Sequence, residues 1–200
     1  MDKRNKVIHS KESKTGVAIH IFGVICFFAA MTLLFTSTKS NSPSLYLFFA
    51  GFFSFSILLW VIGAYQKRKF SKLGKTPLTL TPSVCTIGKE FKGSIEILQP
   101  NFNRVKEISI TLWHRTMRGD DSRKDIVWVS SATTEVNYVG GRTILEFSFV
   151  IPHGKQPTNK AFISENKYFW EASFEFVESM QSIKRTWEIP VKLKKANQQD

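Results

Sequence analysis

The sequence predicts a two-helix transmembrane hairpin followed by an all-β antiparallel sandwich. Two apolar stretches, Gly16 to Thr36 and Leu45 to Tyr65, contain no Lys, Arg, Asp or Glu. At about 1.5 Å per residue, a helix of either length spans the roughly 30 Å of a bilayer's hydrocarbon core. From about Thr76 onward, apolar and polar residues alternate, which is typical of strands that bury one face.

The expected organisation places the sandwich after the hairpin, on the same side as the N-terminus. We expect a basic cytosolic N-terminus (1–15), transmembrane helices (16–36 and 45–65), a short external loop (37–44), a basic juxtamembrane linker (66–75), a cytosolic sandwich (76–195) and a disordered tail (196–200).

The basic charge supports this topology. The chain has 28 Lys and Arg residues against 16 Asp and Glu residues, a net charge of +12. The excess lies in residues 1–75, where basic residues flank both apolar stretches and Lys39 alone lies between them. The positive-inside bias therefore predicts that both termini are cytoplasmic. Residues 76–200 are nearly balanced in charge, which argues against a nucleic-acid partner.

A cleavable signal peptide is the competing interpretation of residues 1–36. The apolar stretch is longer than the usual signal core of about 7–15 residues, and no clear cleavage site follows it. The basic residues after the second span are candidate contacts for anionic lipid headgroups, or they are a topology signal alone. They are Lys67, Arg68, Lys69, Lys72 and Lys75.

Small residues predict how the two helices pack. Cys26 and Ala30 on the first helix, and Ala50 and Ser54 on the second, are each four residues apart, which would allow close backbone approach. His20 lacks an acidic partner in either span, so a proton or ion path is disfavoured. Cys26 and Cys85 lie on separate segments, so we expect two buried thiols and no disulfide.

Seven strands are expected in the sandwich. Alternation places Trp170 and Trp187 on buried faces, whereas Gly140-Gly141 marks a turn and Arg118 to Asp125 an exposed charged loop. Pro190 cannot donate to a strand ladder, so the last strand should lie at an edge or carry a bulge. The expected strands are 78–87, 91–98, 106–115, 125–138, 142–151, 167–178 and 182–194.

The order of the strand segments resembles a known pattern. The chain resembles uncharacterised two-pass bacterial membrane proteins with a cytosolic β-sandwich in five segments: IGKEFKGSIEI (87–97), VWVSSA (127–132), GGRTILEFSFVIP (140–152), YFWEASFEF (168–176) and RTWEIPV (185–191). The first block more remotely resembles the G-x-x-x-x-G strand pair of arrestin-like domains. The resemblance implies an immunoglobulin/arrestin-like fold and supplies no catalytic residue.

The sequence contains no motif that indicates an enzyme. Phosphate-binding loops, nucleophile elbows, zinc-helix motifs and C-x-x-C pairs are all absent. Asp120, Asp121 and Asp125 are interleaved with basic residues, which opposes a cation site. We therefore expect no catalytic residue, no metal and no cofactor.

The function that the sequence favours is protein binding at the membrane. The sandwich would bind an unidentified partner protein, while the hairpin contacts the lipid bilayer. Alternatively, the hairpin itself acts on a membrane enzyme, toxin or channel, as in regulatory or immunity-type proteins. The oligomeric state is left open. The candidate partner-binding residues are Trp113, Arg115, Arg118, Asp120, Asp121, Arg123 and Lys124.

Overall fold

The computed structural model describes residues 7–40, 43–118, 121–159, 166–178 and 180–193, with the backbone alone at 13–16, 118 and 121. The chain divides into two compact units. One is Glu12–Lys72, and the other combines the described residues of Met1–Lys11 and Leu73–Asp200. The second unit therefore includes residues from both ends of the sequence.

The first unit is a helical hairpin. Its helices are α1 (Thr15–Ser40) and α2 (Pro43–Ser71), and both are long and apolar enough to cross a membrane. Helix α1 extends further than predicted, since Ser37 to Ser40 are helical. Residues 41–42, between the two helices, lie outside the described residues. Hydroxyl groups in the last turns of α1 donate to carbonyls three or four residues earlier. Pro43 suits the first helical position because it lacks an N–H group.

Small side chains form the contact between the helices. Gly23, Ala30 and Ser37 of α1 are buried at seven-residue spacing, and Ser56 and Gly63 of α2 share that spacing. The Ser56 hydroxyl donates to the Gly23 carbonyl across the hairpin, at 3.0 Å.

The predicted contact residues are correct on one helix only. Cys26 and Ala30 are buried as expected, whereas Ala50 and Ser54 are exposed. The prediction for α2 was wrong because a seven-residue repeat, and not a four-residue one, keeps successive residues on one face of a long helix pair.

The second unit is the predicted antiparallel sandwich, and the fold class is confirmed. Its strands are β1 (Val7–Ile8), β2 (Leu78–Thr81), β3 (Cys85–Thr86), β4 (Glu90–Ile97), β5 (Glu107–Arg118), β6 (Asp121–Val139), β7 (Arg142–Val150), β8 (Asn166–Glu178), β9 (Gln181–Ile189) and β10 (Val191–Lys192).

Strand β6 connects the two layers of the sandwich. The strand order is β1-β2-β4-β7-β6-β5-β8-β9. Residues 134–139 of β6 pair with β7, and residues 121–133 pair with β5. The strand thus passes from one layer to the other, and apolar side chains from both layers form a single core.

The two tryptophans predicted to be buried are confirmed as core residues. Trp170 and Trp187 are fully buried. Each indole N–H donates to a backbone carbonyl, that of Gln156 at 2.8 Å and that of Thr76 at 3.0 Å. The hydrogen bonds offset the cost of burying a polar donor.

Pro190 divides the last predicted strand, as its missing N–H group required. Strand β9 ends at Ile189, and β10 pairs in parallel with β3. The Pro190 carbonyl accepts from the Cys85 amide at 2.9 Å. The edge prediction is confirmed, because β9 is the terminal strand of its layer.

An N-terminal strand joins the sandwich edge. Val7 and Ile8 pair antiparallel with Thr79 and Leu78 of β2. No strand is predicted for this region, because two residues are too few to show the alternation of apolar and polar residues. The pairing places the segment before α1 beside the segment after α2.

Candidate functional site

Six of the seven predicted partner-binding residues lie in strands. Strands β5 and β6 continue to Arg118 and Asp121, which pair with each other at the end of a long hairpin. The predicted loop from Arg118 to Asp125 is therefore wrong, because its polar residues continue the strand alternation on a ribbon exposed on both faces. Asp120 lies outside the described residues, as do the side chains of Arg118 and Asp121.

The remaining residues fall on opposite faces of this hairpin. Trp113, Arg115 and Lys124 share one face, since Arg115 is directly opposite Lys124. Arg123 and Asp125 alternate with Lys124 and lie on the other face, where the Arg123 Nε donates to Asp125 Oδ1 at 3.0 Å. The predicted charged group is thus two separate groups.

Cations cover two aromatic rings on the first face. The Lys124 ammonium lies 3.8 Å from the centre of the Trp113 ring and 5.0 Å from that of Phe169. The Arg115 guanidinium lies 5.5 Å from the Phe169 ring. Strand register produces this arrangement, because Trp113 of β5 pairs with Phe169 of β8. These distances fall within the range of cation–π attraction.

A buried carboxylate holds the cations in place. Glu171 lies two residues after Phe169, and its side chain is only 7% exposed. It accepts from Lys11 at 2.5 Å and from Lys124 at 3.3 Å. Lys11 also lies 5.1 Å from the Phe169 ring and forms an ion pair with Glu188 at 3.5 Å. We call this set the outer-face cluster: Lys11, Trp113, Arg115, Lys124, Phe169 and Glu171.

Three residues of the outer-face cluster, Lys11, Phe169 and Glu171, were not predicted from the sequence. Phe169 and Glu171 alternate with the buried Trp170 and Ala172, so the period itself placed an aromatic ring and a carboxylate on the outward face. That signal was available from the residues. Lys11 carried no such signal, since it lies far away in sequence and reaches the cluster only through the fold.

An apolar edge adjoins the cluster. Ile126, Val127 and Val129 of β6 are 60%, 48% and 55% exposed. Here the pairing of β5 with β6 shifts register, so that Trp113 faces Ile126 while Leu112 faces Trp128. Val127 is the extra residue of this bulge. We call Ile126–Val129 the edge segment.

The candidate lipid contacts lie at the end of α2. Lys67, Arg68 and Lys69 are helical, and Lys72 and Lys75 are exposed in the turn that follows. Basic side chains in a last helical turn also interact favourably with the helix dipole. The predicted linker is therefore helical in its first part.

The described residues contain no constellation typical of catalysis or metal binding. No group of three or more His, Cys, Asp or Glu side chains within that part of the chain could hold a metal ion. Cys85 is fully buried, and burial raises its pKa to about 12, so its thiol is protonated at neutral pH. His114 stacks on Tyr168, with ring centres 4.6 Å apart.

Comparisons with known proteins find similarity to solved structures alone. No protein-family model matches the chain, and no curated protein is similar to it in sequence. Among solved structures, the chain is similar to the sporulation control protein Spo0M from Bacillus subtilis, with 13% identity and a TM-score of 0.38. The similarity covers 57% of this chain and 47% of Spo0M, so the chain spans about half of that structure.

Proposed function

We propose that this protein is a two-pass membrane protein that has no catalytic activity and binds a partner protein through its cytoplasmic sandwich. The outer-face cluster is the observation on which the binding proposal rests. It assembles Trp, Phe, Arg and Lys side chains on one sheet face, and Trp and Arg are the residues that most often dominate protein interfaces. Arg115 and Lys124 remain partly exposed, so a partner could reach them.

Two features support the membrane topology. The helices bury small residues against each other and expose large apolar ones, as suits hydrocarbon surroundings. The pairing of β1 with β2 requires that residues 7–8 and 78–81 lie on the same side of any membrane crossed by the hairpin. The basic flanks favour the cytoplasmic side. The inner membrane of a bacterium is the location that the resemblance of the strand segments implies.

The topology can be tested by thiol labelling in intact spheroplasts. Cysteine replaces Ser40, at the end of α1, or Met180, which is fully exposed in the sandwich. A membrane-impermeant maleimide should label Ser40→Cys and leave Met180→Cys unlabelled until the membrane is permeabilised. The reverse pattern would contradict the cytoplasmic assignment.

Partner binding can be tested with the full chain in mild detergent after crosslinking in cells. The double variant Arg115→Gln/Lys124→Gln removes two cations of the outer-face cluster. Its control is Arg123→Gln, on the opposite face of the same hairpin. We expect about tenfold weaker partner recovery with the double variant and near wild-type recovery with the control.

Equal recovery with all three proteins would contradict binding through the outer-face cluster. In that case, loss of recovery on exchanging exposed apolar residues of α1 and α2 would support the alternative in which the hairpin binds. Thermal unfolding of each variant establishes that the sandwich is intact.

The basic residues after α2 are proposed to contact anionic lipid headgroups, each cation contributing about 1 kcal/mol of binding free energy near the surface.

A further inference from the structure

Among the described residues, the first two thirds of strand β6 form a sheet edge. Residues 121–133 pair with β5 on one side, and β7 joins β6 only from Thr134 onward. Within the part of the chain that the structure describes, no strand pairs with the other side of residues 121–133. Alternate backbone N–H and C=O groups of such a strand point away from its neighbour and are available to an added strand.

The edge segment lacks the charged side chains and prolines that commonly protect a sheet edge. Charged side chains and proline usually discourage strand addition. Ile126, Val127 and Val129 are instead apolar and about half exposed or more. The bulge at Val127 bends the strand, but it leaves apolar side chains facing outward on both sides of the bend. This combination is typical of sites that accept an extended peptide.

The charges around the edge segment indicate what would bind there. The Lys155 ammonium lies 5.7 Å from the ring of Trp128, beside the edge. Lys155 forms no ion pair within the described residues, whereas Lys124 and Arg123 are each paired with a carboxylate. A second copy paired antiparallel about Ile126 and Val127 would bring two Lys155 side chains near each other. Carboxylates of a different chain would instead neutralise these cations.

We propose that the edge segment binds an extended segment of the partner protein as an added antiparallel strand. The bound segment has apolar residues at alternate positions and carboxylates on its flanks, one of which faces Lys155. This inference rests on the proposed partner-binding function and names the chemistry of the partner.

Synthetic peptides test the proposal directly with the full chain in detergent micelles. The probe has nine residues, with Val at every second position and Glu at both ends. One twin carries Lys at the ends, and another has Pro at its centre, which removes a backbone donor. Fluorescence anisotropy should show binding of the Glu-flanked probe and at least about tenfold weaker binding of either twin. Equal binding of the Glu- and Lys-flanked probes would overturn the proposed partner chemistry.

Variants of the protein test the location. Val127→Pro should weaken probe binding about tenfold, because proline disfavours strand pairing and is tolerated at bulges and edges. Val127→Thr keeps the N–H group and the β-branched shape, so its loss should stay within about threefold. Lys155→Glu should reverse the preference between the Glu- and Lys-flanked probes. Unchanged binding by both Val127→Pro and Lys155→Glu would overturn the proposal.

Photocrosslinking in cells separates this proposal from the general function. A photoreactive residue at Val127 should crosslink the partner, and one at Val177, exposed at the far end of β8, should not. A crosslinked dimer of this chain through position 127 would identify a second copy as the occupant and overturn the proposal. Crosslinks from position 115 alone would retain partner binding and overturn strand addition. Crosslinks from no sandwich position would contradict the proposed function itself.

Discussion

The helical hairpin and the sandwich bury opposite kinds of side chain. In the hairpin, Gly23, Ala30 and Ser56 face the partner helix, while Phe28 and Leu47 point outward at 65% and 76% exposure. In the sandwich, Trp170 and Trp187 fill the core and the outward positions are mostly polar.

The difference agrees with water around the sandwich and with the membrane location proposed for the hairpin. Water drives apolar side chains into the interior of the sandwich, at about 25 cal/mol per Å² of buried apolar surface. Hydrocarbon supplies no such force, so the hairpin depends on close packing of small residues and on interhelical hydrogen bonds. Equivalent substitutions should therefore have unequal effects in the two units.

The largest effect should come from the sandwich core. Trp187→Ala removes a fully buried ring that also donates to the Thr76 carbonyl, so we expect the free energy of unfolding to fall by about 3–5 kcal/mol. Urea unfolding of the full chain in detergent, followed by near-ultraviolet circular dichroism, measures it. Val177→Ala, at a position 70% exposed, should change it by less than about 0.5 kcal/mol. A loss below about 1 kcal/mol for Trp187→Ala would mean that the ring is not a core element.

Replacing glycine by alanine should lower the free energy of unfolding at Gly93 of the sandwich but not at Gly51 of the hairpin. A Cβ atom at Gly93 would lie 2.2 Å from Cζ of Phe147, whereas one at Gly51 of α2 would meet nothing within 4 Å. Gly93→Ala should therefore cost up to about 3 kcal/mol, because the Phe147 ring must leave its place over the strand. Gly51→Ala should cost nothing measurable in the same urea titration. Equal stability of both variants would show that the Phe147 ring moves freely.

Cys85 should make the protein less stable at alkaline pH. Burial raises the pKa of Cys85 from 9.0 to about 12, so between these values the unfolded chain loses a proton that the folded chain keeps. Stability should therefore fall as the pH rises above 9, on the order of 2 kcal/mol between pH 8 and pH 10.5. Cys85→Val should lack this part of the decline, and Cys26→Val should retain it. An identical pH profile for all three proteins would contradict the effect.

Much of the fold could be predicted because period and turn chemistry are local signals. Gly140 and Gly141 have positive φ angles of 58° and 76°, the backbone that a two-residue hairpin turn requires. Gly88 and Gly93, in the segment 87–97, are required by packing, since a Cβ at either would collide with the ring of His153 or Phe147. These glycines specify strand geometry, and they supply no chemistry.

The candidate site was harder to predict because it depends on which strands become neighbours. Trp113 and Arg115 were identified, yet their meeting with Phe169 requires β5 and β8 to pair at a specific register. Lys11 reaches Glu171 across 160 positions in the sequence. Charge also misled at Arg118 to Asp125. The charged residues suggested a loop, but a strand that is exposed to water on both faces has the same polar composition.

The smallest effect should come from the hairpin, at two serines on the same helix. The Ser56 hydroxyl donates to the Gly23 carbonyl at 3.0 Å, whereas Ser54 is exposed. Hydrogen bonds between membrane helices contribute about 0.6 kcal/mol on average, because the separated helices also find partners for these groups. We therefore expect Ser56→Ala to cost about that amount and Ser54→Ala to cost nothing.

The measurement is an SDS titration in bicelles, followed by ¹⁹F NMR of protein labelled with 5-fluorotryptophan. Trp60 reports on helix contact because its ring packs on Gly23, where a Cβ atom would lie 2.7 Å from Trp60 Cδ1. Ser56→Ala should lower the SDS midpoint of the Trp60 signal relative to Ser54→Ala. A larger loss with Ser54→Ala would instead place the helix contact on the face of Ala50 and Ser54, and the seven-residue spacing of Ser56 and Gly63 would then not describe the hairpin.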